Sequence, residues 1–179
     1  MHLSEQEIER RKSREELTKL GNNPYPAESF EINVSAKDIK KNYESDKLNY
    51  KNISIAGRLM SKRIMGKASF AEIQDSTGRI QIYISRDEIC PDEDKTLYNT
   101  VFKKLLDIGD IIGIKGYVFT TQVGEISIHV KELTVLTKSL RPLPITKETT
   151  DEQGNVKRYD AFTDSEQRYR QRYVDMIVN

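Results

Sequence analysis

With 179 residues, 36% of them hydrophobic and 32% charged, the chain has material for one well-packed domain with appendages rather than for two large cores. The one cysteine, Cys90, excludes an intramolecular disulfide and a paired-cysteine metal site. No apolar run is long enough for a bilayer, and the first residues lack the apolar segment of a signal peptide, so a cytoplasmic protein without membrane attachment is expected.

The first predicted element is a helix from Glu5 to Leu20. Ser4 and Glu7 have capping-box spacing, and Leu3 with Ile8 fits a hydrophobic staple. Gly21 supplies the stop, and Pro24 and Pro26 forbid continuation. Only Leu17 and Leu20 form an apolar stripe beyond the staple, so the helix must dock on something or fray. Arg10, Arg11, Lys12 and Arg14 are candidates for an RNA contact, but the interleaved Glu9, Glu15 and Glu16 describe an ordinary solvated face. The rest of residues 1–50 reads as extended.

Residues 51–138 carry the pattern of a small β domain. Ile53, Ile55 and Leu59 alternate in a first strand. In a second, Ala71 and Ile73 share one side and leave Phe70, Glu72 and Gln74 on the other. In a third, Ile80, Ile82 and Ile84 face one way and Arg79, Gln81 and Tyr83 the other, because successive strand side chains point to opposite faces. Ser76, Thr77 and Gly78 supply the turn between them. Leu97, Val101 and Leu105 then keep helical spacing, with Phe102 adjacent. Ile112 and Ile114 open a fourth strand that runs through Gly116 toward Phe119, and after a turn at Thr121–Gly124 a fifth alternates from Glu125 to Val130.

Three strands, a helix and two strands is the order of an OB-fold, a five-stranded Greek-key barrel whose exposed strand face binds oligonucleotides in many proteins. Gly57, Gly113 and Gly116 would allow the bending that closure requires. Charge is uneven: from Gly57 to Arg86 there are six basic residues against Glu72 and Asp75, followed by the wholly acidic Asp87, Glu88, Asp92, Glu93 and Asp94. A globally neutral chain can thus present a positive face to phosphates. Taken alone, Phe70 suits a core better than a stacking face, Gln81 and Glu125 are ordinary solvent-facing strand residues, and His129 has no second histidine nearby to make a metal site.

Beyond the barrel, Ser139–Pro144 has the stiffness of a linker and marks a boundary, so that residues 139–179 are a linker and the start of something further. Lys147–Arg158, with Gly154 and Asn155, reads as a hairpin or loop. A last helix is predicted with a Thr163–Glu166 capping box and with Tyr169, Tyr173, Met176 and Ile177 along one face.

Six stretches taken together resemble one family. NPYP (23–26), KRIMGKASF (62–70), QDSTGRIQIY (74–83), TQVGEISIHV (121–130), LRPLP (140–144) and RYRQRYVDMI (168–177) match, in order, the N-terminal part of bacterial-type class II lysyl-tRNA synthetases. The related aspartyl and asparaginyl enzymes share the domain type, but NPYP and KRIMGKASF resemble the lysyl group. The resemblance implies a mainly β fold, with an OB barrel flanked by an N-terminal helix and a C-terminal linker and helix leading to a class II catalytic domain. It implies that the barrel reads the central uridine of the lysine anticodon, with Phe70 as stacking aromatic, Gln81 as amide reader, Glu125 as acidic partner, and Arg63 and Arg79 as donors to base oxygens or phosphates. It further implies a homodimeric full-length ligase that uses ATP and magnesium in a catalytic domain lying beyond Asn179, leaving this chain with RNA binding and no catalytic or cofactor residues. Two other readings remain: an OB protein that binds single strands without sequence preference, and a protein interaction module working through the terminal helices.

Overall fold

The computed structural model describes residues 3–144, 147–150, 156–159 and 162–179, with side chains left out between 145 and 161. Five strands, β1 (Ile53–Met65), β2 (Ala68–Gln74), β3 (Arg79–Ser85), β4 (Ile111–Thr120) and β5 (Ile126–Thr137), close a barrel in the order β1-β2-β3-β5-β4. All neighbours are antiparallel except β3 and β5, which run parallel from Gln81 and Ser127 onward. This is the OB arrangement that the strand order predicts.

The predicted alternation explains which residues fill the barrel. Ile73, Ile80, Ile82, Ile84, Ile112, Ile114 and Ile128 are fully buried, each contributing about 1.5–3 kcal/mol. A π-helix at Leu97–Leu105 closes one end with Tyr98, Val101 and Phe102. It is preceded by α3 (Arg86–Ile89), a second inserted helix that the sequence pattern did not reveal.

Two features depart from simple alternation. In β1 both Leu59 and Met60 are buried, because a bulge lies between Leu59 and Ser61. The extra residue reverses the parity of the strand. Unbulged, Arg63 would share the inward side of Ile53, Ile55 and Leu59; instead it pairs with Phe70 on the outer face. Lys62 turns the other way and donates to the carbonyls of Phe102, Lys103 and Leu106 at the end of the π-helix. The second feature is a register shift between Lys115 and Gly116, where a Cβ on Gly116 would stand 1.9 Å from the backbone oxygen of His129. Gly113 has a related role: the ring of Phe30 occupies the place of its missing side chain. Both glycines therefore admit close neighbours, whatever bending they also permit.

Helix α1 (Glu5–Lys19) has the predicted capping box, with the Ser4 hydroxyl accepting from the Glu7 amide and the Glu7 carboxylate accepting from the Ser4 amide. Leu17 docks it in the core, while Leu20 stays exposed as the C-cap. Arg10 has a structural role: its guanidinium donates to the carbonyls of Ile108, Ser139 and Arg141. The stretch up to residue 50 is not simply extended either. It contains α2 (Ala36–Asn42), which buries Ala36 and Ile39 and is held from a distance, since the Ala36 amide donates to Asp75 in the β2–β3 turn. Burial pushes the Asp75 carboxyl up, but donors from Ala36, Thr77 and Gly78 together hold it below the usual range.

Residues 1–141 form one compact unit and residues 142–179 another. In the second, β6 (Lys147–Thr150) and β7 (Val156–Tyr159) pair as the anticipated hairpin, whose Gly154–Asn155 turn lies outside the described residues. Two helices follow, α4 (Ser165–Arg170) and α5 (Arg172–Val178). Asp164 is the N-cap, accepting from the Gln167 amide, which corrects the expected Thr163–Glu166 box. Phe162 and Val174 are buried, whereas Tyr169, Tyr173 and Met176 of the expected apolar face are exposed. No helix among the described residues is long and apolar enough to cross a membrane.

Candidate nucleic-acid interface

The outer face of β1, β2 and β3 meets the β4–β5 loop in a cavity of about 350 Å³. It is lined by Ser61 and Arg63 from β1, Phe70 and Glu72 from β2, Gln81 from β3, and Thr121, Val123 and Glu125 from the loop. The ladder explains the placement. Arg63 lies opposite Phe70 and Glu72 opposite Gln81, so a strip three strands wide carries a cation, an aromatic ring, a carboxylate and an amide. The loop is closed by the Thr121 amide donating to the Glu125 carbonyl at 2.9 Å and the Glu125 amide donating to the Thr121 hydroxyl at 3.0 Å, which sets Glu125 at the rim.

Four of the five residues singled out in the sequence thus converge: Arg63, Phe70, Gln81 and Glu125. Arg79 does not join them. It sits beside Gln74 at the far end of the β2–β3 ladder, donates to the Gln74 side chain at 2.8 Å and lies 3.9 Å from Glu72.

A second hollow of about 400 Å³ adjoins the first and shares Phe70, Thr121 and Val123 with it. Its walls are aromatic. Tyr83 stands at the centre, with ring centroids 5.1 Å from Phe70, 5.0 Å from His129 and 6.1 Å from Phe119. Tyr117 extends the cluster and shares a hydrogen bond with His129 Nδ1. The opposite nitrogen, Nε2, is buried with no hydrogen-bond partner among the described residues. Burial holds the imidazole below its ordinary pKa, with Glu88 raising it and Lys131 lowering it, so the ring is neutral at neutral pH. Such flat apolar walls are what a stacked base requires. Sequence reasoning gave Tyr83 and His129 no role and overlooked Tyr117 and Phe119, although these two alternate with the buried Gly116 and Val118 along β4.

Among the described residues no group of three or more His, Cys, Asp or Glu is placed to hold a metal ion. A further hollow of about 840 Å³, beside the end of α1 and residues 21–25, gathers none of the five site residues.

Residues 53–136, nearly the whole barrel, match the tRNA anticodon family of OB-fold nucleic acid binding domains. Across its full length the chain is 60% identical to a lysine–tRNA ligase of Porphyromonas gingivalis. The barrel is an anticodon-binding OB domain of the lysine–tRNA ligase family. Two further relatives of the same name, from Azobacteroides pseudotrichonymphae and Christiangramia forsetii, are 59% and 57% identical over 99% of this chain. The chain spans 30% to 34% of the length of these three relatives. The polar cavity and the aromatic hollow therefore lie on the outer strand face of an anticodon-binding domain, the face on which OB domains take up oligonucleotides.

Proposed function

We propose that this domain reads the central uridine of the lysine anticodon. In this reading it addresses a cytoplasmic, homodimeric lysine–tRNA ligase whose catalytic domain, working with ATP and magnesium, attaches lysine to the transfer RNA. The observation that carries the proposal is the convergence of Arg63, Phe70, Gln81 and Glu125 on one cavity from two strand pairs and a distant loop. Their chemistry suits uracil. Phe70 offers a face for stacking, Gln81 offers an acceptor for N3–H and a donor for O4, and Arg63 supplies positive charge for a base oxygen or phosphate. Arg79, outside the cavity, acts on the backbone.

The test is the affinity of the chain for a lysine anticodon stem-loop, compared with the loop carrying cytidine at the central position, at two salt concentrations. A preference for uridine that Phe70→Ala and Gln81→Ala each weaken supports the proposal. A steep salt dependence with equal affinity for the two loops would instead assign the domain to non-specific single-strand binding. Affinity untouched by either substitution would point to the terminal helices as the working surface. The chain by itself is expected to show no lysine-dependent exchange of pyrophosphate into ATP.

A further inference from the structure

Beneath the polar cavity lies a residue that sequence reasoning passed over. Ser127 opens the parallel pairing of β3 and β5 opposite Gln81 and is fully buried, although it is polar and belongs to the outer side of its strand. Its hydroxyl accepts from Gln81 Nε2 at 2.9 Å and donates over a longer 3.4 Å to the backbone carbonyl of Glu125. One buried oxygen thus joins the amide of one candidate reader to the backbone of the other.

The consequence follows from the symmetry of an amide. A glutamine head rotated by half a turn exchanges its donor and acceptor with almost no change of shape. In one orientation it matches uracil, which offers N3–H and O4; in the other it matches cytosine, which offers N3 and N4–H. A glutamine free to rotate therefore reads either pyrimidine, and stacking on Phe70 cannot discriminate between them. Because the Ser127 proton is directed to the Glu125 carbonyl, what the hydroxyl presents to Gln81 is a lone pair. The amide turns its nitrogen down toward Ser127, which leaves its oxygen and its second N–H for the cavity.

We propose that Ser127 is the positioning residue that sets the preference of this site for uridine over cytidine, by holding the Gln81 amide in a single orientation. The proposal rests on the central-uridine reading above. With the head rotated, the Gln81 oxygen is satisfied only if the Ser127 proton leaves the Glu125 carbonyl, so the cytidine-compatible orientation forfeits one of the two hydrogen bonds in either case.

The experiment measures, for the full chain, the ratio of dissociation constants for stem-loops with cytidine and with uridine at the central position. Ser127→Ala is expected to lower that ratio about tenfold, the worth of one buried hydrogen bond. Ser127→Cys, which keeps the volume but offers a poor acceptor, should lower it similarly and carries the test if the alanine variant does not fold. In a Gln81→Ala background, Ser127→Ala should leave the ratio unchanged, because Ser127 acts only through Gln81. In the wild-type chain the Gln81 side-chain amide should show one proton slow to exchange with solvent.

A Ser127 variant that weakens both loops equally and keeps the wild-type ratio overturns the proposal, as does rapid exchange of both Gln81 amide protons. A wild-type chain with no preference between the loops overturns the central-uridine reading itself, and this proposal with it.

Discussion

Lys138 and Asp110 meet at 2.9 Å with neither side chain exposed. The Lys138 ammonium also bonds Asp107 and the Leu105 carbonyl, while Asp110 accepts from the amides of Asp107 and Ser139. This knot ties the end of β5 to the loop before β4, where Arg10 of α1 is also anchored. Lys138→Met should leave Asp110 buried without its cation and destabilise the chain by about 3–5 kcal/mol, read from the midpoint of urea unfolding. A change below about 1 kcal/mol would mean that the amide donors alone satisfy Asp110.

Gly116 tests the close approach of β4 and β5. With the His129 oxygen 1.9 Å from where a Cβ would stand, Gly116→Ala must push the strands apart. A loss of about 3 kcal/mol or more is expected in denaturant unfolding, together with chemical-shift changes at Tyr117 and His129.

Phe70 and Arg79 separate two kinds of binding energy. Phe70→Ala should weaken binding of the uridine stem-loop by about 1–3 kcal/mol in a titration, the typical worth of a stacked base, while Phe70→Tyr keeps most of it. Arg79→Ala should weaken the uridine and cytidine loops equally and lower the slope of log affinity against log salt by about 1, because the residue stands outside the cavity.

His129 makes stability depend on pH. Its folded pKa lies below the ordinary value of about 6.5, so the unfolded chain takes up the proton more readily. The contribution of the neutral ring is complete above about pH 6.5 and is lost as pH falls through the folded value, at up to about 1.4 kcal/mol per unit. Melting temperature should therefore fall between about pH 7 and pH 5, and His129→Gln should flatten that fall.

Much of the barrel was legible because an alternating strand declares its two faces. The isoleucines of β3 placed Gln81 and Tyr83 on the outside without any tertiary information, and the strand order gave the topology. Helix α2 was missed although Ser35 caps it locally through the Asp38 amide, because seven residues with only Ala36 and Ile39 buried are too few to show a helical period. The aromatic hollow was missed because β4 supplies Tyr117 and Phe119 across a register shift, so the meeting of Phe119 with Tyr83 and of Tyr117 with His129 depends on how the barrel closes.

The sequence by itself determined the class of this protein: the periods of its apolar residues specify strands and helices, and its motifs carry the family resemblance. Only the tertiary structure decided the site. A single extra residue at the β1 bulge turns Arg63 outward to face Phe70, and barrel closure lays Ser127 under Gln81. Neither can be read from local spacing, because a bulge reverses parity only where a partner strand defines the ladder, and a parallel pair is made by residues far apart in the chain.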